Sequence, residues 1–280
     1  MVDKILGILE KYTGKPSAKG NVDFLKFKNI INKDKTIYLP QGSEVGILLL
    51  HGFTSTPFEF CDLAKYLSEK GLTVYAPKIA GHGTTPSDLA KTTIAEWQKS
   101  AEEAFSFLES QTKKIFVIGS SFGGNLAIHL AEKFESNLAG FVSIGTPIQI
   151  RWQRLAKIRL YTYGLLIKNY KKRGNNYKFS YTEQAEVVYP VIPTASLKKL
   201  FSLIKNFTIP SLKKITAPAL IIHSNSDAVV HPKSAQYLHE KLGSENKRIL
   251  WIDGCGHSIA LDEKRWLIYK AIYRFICDIE

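Results

Sequence analysis

Cysteine is scarce in this chain: three in 280 residues, Cys61, Cys255 and Cys277. The number is odd and the spacing fits no metal site, which argues against a disulfide framework or a zinc-built fold. A reducing, cytoplasmic setting with inert thiols is expected instead. Long apolar runs are missing too. The longest, such as Val45–Leu50, are strand-sized and fall far short of a membrane span. Met1–Glu10 is apolar for too few residues to read as a secretory signal. No Gly-x-Gly-x-x-Gly or Walker pattern occurs, and no His, Asp or Glu group has zinc or calcium spacing. Neither a cofactor nor a metal is therefore expected. No repeat or low-complexity linker interrupts the chain.

Acids are nearly missing from one region. Residues 148–215 hold 14 Lys or Arg against two acids, Glu183 and Glu186, while the rest of the chain holds 24 basic and 23 acidic residues. Almost all of the net charge of +13 therefore sits in that segment. It also carries ten aromatics, among them Trp152, Tyr170, Tyr189, Phe201 and Phe207. No nucleic-acid-binding module accompanies it, and no nucleic-acid partner is expected.

What is present is organised around Lys114–Ile128. A buried, β-rich run ends at Gly119-Ser120-Ser121-Phe122-Gly123 and resumes with helical apolar spacing at Leu126, Ala127, Leu130 and Ala131. Gly-x-Ser-x-Gly between a strand and a helix makes a turn that projects its serine from the sheet edge. Around it the chain alternates. Strands are expected at 45–50, 72–77, 138–144, 219–224 and 248–252, and helices near 57–69, 93–110 and 233–241 and from about 263. Residues 2–12 read as a short amphipathic helix, 20–44 as loops and edge strands, 81–86 as a loop, and 147–212 as mostly helical. This alternation predicts a mostly parallel sheet with helices on both faces and functional loops at the carboxyl ends of the strands.

A serine hydroxyl needs a base to become a nucleophile, and the base needs an orienting acid. On such a turn the partners follow in the order acid, then histidine. Asp227 lies in the loop after 219–224 and His257 in the loop after 248–252, so Ser121, Asp227 and His257 form the expected set. Asp253 is the alternative acid; Ser120 is expected to point away. His129, His223 and His239 fall on regular elements and suit structural or surface roles, while His51 and His82 suit loop bracing. The backbone N–H groups of Phe53 and Phe122 are the expected oxyanion donors, with both rings flanking an apolar acyl chain.

His51-Gly52-Phe53-Thr54, Gly81-His82-Gly83-Thr84, Gly119–Gly124, Ser226-Asp227 and Gly256-His257 together resemble the α/β-hydrolase superfamily. They are most similar to small bacterial carboxylesterases and monoacylglycerol lipases. The likeness runs from about 45 to 279 and includes Pro193–Leu197. It implies an α/β-hydrolase fold with a helical cap inserted after the sixth core strand. The divisions implied are an extension over 1–44, a core over 45–146 and 213–280, and a cap over 147–212. It implies hydrolysis of short- to medium-chain acyl esters by water through an acyl-enzyme, or of monoacylglycerols or lysophospholipids. Gly52, Phe53, His82, Phe122, Ile148, Trp152 and Val229 are the expected substrate-lining residues. Non-catalytic binding and acyl transfer to another acceptor stand as alternatives. The basic, aromatic segment suits either a cap with solvated lysines or peripheral docking on anionic lipid.

Overall fold

Strand-sized runs of Val, Ile, Leu and Phe with no polar interruption can lie only inside a sheet covered on both faces. In the computed structural model, which describes residues 29–151, 168–171 and 188–279, they build one seven-stranded sheet. In chain order the strands are β1 (Ile37–Leu39), β2 (Val45–Leu50), β3 (Thr73–Ala76), β4 (Lys114–Ser120) and β5 (Leu138–Ile144). A separate pair follows, β6 (Asn169–Lys171) and β7 (Val191–Pro193), then β8 (Ala219–Ser224) and β9 (Lys247–Ile252) return to the sheet. Its lateral order is β1-β3-β2-β4-β5-β8-β9; β1 runs antiparallel to β3 and every other pairing is parallel.

Helices α1 (Cys61–Ser68), α2 (Pro86–Lys91), α3 (Ile94–Glu109), α4 (Phe122–Lys133), α5 (Thr194–Leu203), α6 (Lys233–Lys241) and α7 (Arg265–Ile279) surround it. The period of two in β2 separates the covering layers. Ile47 and Leu49 join Leu63 of α1 and Ile272 and Phe275 of α7. Leu48 and Leu50 join Trp97 and Phe105 of α3 and Leu126 of α4. Each fully buried side chain of this size contributes roughly 1.5–3 kcal/mol. Helix α3 starts where Thr93 and Glu96 cap each other reciprocally. Because β2, β4, β8 and β9 are parallel, the loops that follow them open at one edge.

Three local features go beyond the expectations. Among the described residues five strands of the sheet precede the 147–212 segment, and 29–44 supplies a single three-residue strand. The turn at Gly81–Pro86 runs directly into α2, where Thr85 caps the amide of Asp88 and Pro86 stands at the first helical turn. Where it is described, 147–212 is helical from Thr194 onward but also holds a strand pair, in which β-branched Val191 and Ile192 pair with Lys171 and Tyr170. The expected helix over 2–12 and Trp152 lie outside the described residues.

That segment is tied down at two places. Ile150 bridges Val230, with Arg151 N donating to Val229 O at 2.9 Å and His231 N to Gln149 O at 2.8 Å. Further along Val188 bridges Ser55, and Tyr189 N donates to Thr54 O at 2.8 Å.

Candidate active site

β4 passes into α4 through one residue. Ser121 has φ 50° and ψ −117°, a backbone region costly for any residue with a side chain. The turn closes because its neighbours have no Cβ. One on Gly119 would lie 2.2 Å from Gly123 O, and one on Gly123 would lie 1.9 Å from Leu50 O. Ser121 N donates to Ile144 O at 2.7 Å, fixing the turn to β5.

Side chains from three loops meet at this turn. Ser121 Oγ donates to His257 Nε2 at 3.0 Å, and His257 Nδ1 donates to Asp227 Oδ2 at 2.8 Å. The other oxygen of Asp227 accepts from the amides of Val229 at 2.8 Å and Val230 at 2.9 Å. Asp227 is fully buried, whereas His257 keeps some exposure. Burial alone would raise the Asp227 carboxyl. The adjacent His257 charge and the hydrogen bonds from His257, Val230 and Val229 outweigh it and hold the group below its ordinary range. A carboxylate on Nδ1 places the imidazole's free lone pair on Nε2, facing the hydroxyl. Arg151 Nε donates to the Asp227 carbonyl at 2.6 Å, a contact that sequence spacing does not reveal.

Other candidates are placed elsewhere. Asp253 accepts from Asn225 Nδ2 at 2.7 Å and is exposed. His223 is buried in β8 with Nε2 3.7 Å from Asp227 Oδ2; burial lowers its pKa. His51 Nδ1 donates to Gly52 O at 3.0 Å while its Nε2 accepts from Ile79 N at 3.2 Å. His82 donates through Nδ1 to Ala80 O at 3.1 Å.

The loop after β2 lies beside the turn. A methyl group on Gly52 would be 3.7 Å from Ser121 Cβ, so this loop comes close to the serine turn. The expected lining divides. Phe53 is partly exposed and Val229 is 49% exposed, whereas Phe122, His82 and Ile148 are buried. The Phe122 ring packs against Trp97, Phe53 and His82 at centroid distances of 5.0, 5.6 and 5.7 Å. Phe122 is thus buried among these rings, and its amide starts α4. Among the described residues no group of three or more His, Cys, Asp or Glu side chains could hold a metal ion.

Sequence reasoning missed Glu59, which is buried beneath the loop. Its Oε2 accepts from Gly52 N at 2.9 Å and its Oε1 from Ser120 Oγ at 2.5 Å. Ser120 thus points away from the site, as its place in the motif predicts.

The family model described as serine aminopeptidase, S33 (Hydrolase_4) matches residues 43–264. A thermostable monoacylglycerol lipase of Bacillus sp. strain H-257 is 32% identical over 85% of this chain and 92% of its own length. A carboxylesterase of Bacillus subtilis strain 168 is 28% identical over 84% of this chain and 94% of its own. Among solved structures, one from work on LipS and LipT, two metagenome-derived lipolytic enzymes, superposes with a TM-score of 0.79. It is 30% identical and covers 89% of this chain and 99% of that one. The fold, the strand-to-helix serine turn and these matches agree: the chain belongs to the Hydrolase_4 (S33) family of α/β hydrolases.

Proposed function

We propose that this protein is a serine ester hydrolase, most simply a carboxylesterase acting on short- to medium-chain apolar acyl esters. The observation that carries the reading is the unbroken hydrogen-bonded chain Ser121–His257–Asp227. His257 Nε2 takes the Ser121 proton as Oγ attacks the ester carbonyl. The tetrahedral oxyanion accepts from the amides of Phe53 and Phe122. Collapse breaks the bond to the alcohol, which leaves with the proton from His257. Water then attacks the acyl-enzyme with His257 again as base, and the carboxylic acid departs.

Residues 147–212 form the cap in this reading, anchored at 149–151 and 188–189. Its lysines, arginines and aromatics suit peripheral contact with anionic lipid. A second reading, monoacylglycerol hydrolysis, is favoured by the 32% identity to the Bacillus sp. lipase over most of both chains.

Hydrolysis of p-nitrophenyl esters of increasing acyl length, set beside monolauroylglycerol, tests both. Ser121→Ala is expected to lower kcat by about 10³-fold or more on every substrate. His257→Ala should be nearly as damaging and Asp227→Asn less so. Turnover unchanged in Ser121→Ala would overturn the reading.

A further inference from the structure

Glu59 is a carboxylate with 6% of its surface exposed, placed under the loop that follows β2, and the proton relay does not use it. Its two oxygens are spent on two different parts of the site. Oε2 accepts from the backbone amide of Gly52, 2.9 Å away, in the residue immediately before the Phe53 donor. Oε1 accepts from the hydroxyl of Ser120, 2.5 Å away, in the residue immediately before the nucleophile. The two oxyanion donors come from segments that are neighbours in the sheet but leave it separately, at Leu50 in β2 and at Ser120 in β4. Backbone pairing ends with Leu50 opposite Gly119, so beyond that point no β-ladder fixes their separation.

We propose that Glu59 is a positioning residue that clamps the Gly52–Phe53 loop to the Ser120–Ser121 turn and so sets the spacing of the two oxyanion donors. The inference rests on the esterase reading and assigns to it a residue outside the relay. Three features make the clamp specific. It is bidentate between two segments, so losing it frees one against the other. It is buried, so water is a poor replacement for either contact. It also engages the Gly52 N–H, which leaves the next N–H in the loop, that of Phe53, as the loop's donor to the oxyanion. A donor displaced by about 1 Å loses much of its effect on a developing oxyanion, and loss of one donor costs about 10²–10³-fold in kcat.

The test uses Glu59→Ala, Glu59→Gln, Ser120→Ala and Ser121→Ala in the full chain. The readouts are kcat and KM on p-nitrophenyl butyrate, the inhibition constant of a boronic acid, and Tm. A boronate adds to the serine and places an oxygen where the oxyanion forms, so its affinity reports donor placement directly. Glu59→Ala is expected to lower kcat by about 10²-fold with KM changed less than about threefold. Boronate affinity should fall in parallel. Glu59→Gln should restore kcat to within about tenfold of wild type, since its carbonyl can accept from Gly52 N while Ser120 Oγ turns to accept from the new NH₂. Ser120→Ala, which cuts one arm only, should lie between them.

Glu59→Ala with kcat and boronate affinity near wild type overturns the clamp. So does a set of variants whose losses follow Tm while boronate affinity holds. If Glu59→Ala does not fold, Glu59→Gln and Ser120→Ala decide on the same readouts. Hydrolysis that survives Ser121→Ala overturns the nucleophile assignment and the clamp together. Hydrolysis that fails there but survives Glu59→Ala overturns the clamp alone.

Discussion

Asp227 holds its charge out of contact with water, and two backbone amides and an imidazole make that possible. The same contacts make folding depend on pH. A carboxyl whose pKa is lowered on folding contributes stability above its unfolded pKa, and that contribution disappears as pH falls through the folded value. His51 and His223, both buried with lowered pKa values, act in the same direction at higher pH. The unfolded chain takes up protons on them near their ordinary value of 6.5, which the folded chain resists. Stability should therefore fall below about pH 6.5 and fall further through the carboxylate range. Urea midpoints measured from about pH 8 to 4 check this. His223→Gln should flatten the upper part of the curve, and Asp227→Asn the lower part. A midpoint that rises as the solution is acidified would contradict the assignment.

The strand-to-helix turn depends on backbones approaching more closely than any side chain allows. Gly123→Ala places a methyl group 1.9 Å from Leu50 O, a main-chain atom of a central strand. The expected cost is about 2–3 kcal/mol or more, together with loss of activity, because the clash pushes β2 away from the start of α4. Gly256→Ala, where nothing lies within 4 Å of the added carbon, should stay within about 0.5 kcal/mol. Chemical denaturation of the two variants side by side measures the difference. The turn was legible in the sequence because its glycines and serine are contiguous. β2, β4, β5 and β8 were legible because burial on both faces leaves uninterrupted apolar runs. Helix α2, six residues long, and the pair β6–β7, three residues each, are too short for periodicity to separate from loop. Glu59 was not legible either, since its partner Ser120 is 61 positions away and only the fold brings them together.

Charge is distributed over the molecule as unevenly as the chemistry. Residues 148–215 carry 14 of the 38 basic side chains and two of the 25 acidic ones, leaving the remainder close to neutral. If this segment meets lipid, as proposed, the attraction is mainly electrostatic and weakens over a Debye length of about 10 Å at 0.1 M salt. Flotation with vesicles containing anionic lipid should carry the protein upward at low salt and release it at high salt, and neutral vesicles should fail to carry it. Equal recovery with both vesicle types would discard the lipid contact and leave the lysines as a solvated surface.

The two short backbone bridges at Ile150–Val230 and Ser55–Val188 have a consequence for how this chain can diversify. They fasten the excursion from the sheet at two points, one beside the acid and one beside the residues that follow Phe53. In the proposed reading, sequence lying between the two points can be exchanged, lengthened or recharged without disturbing the register of the reacting groups. On the proposed function, selectivity and reactivity would then sit on separate stretches of one polypeptide, and each could change while the other stays fixed.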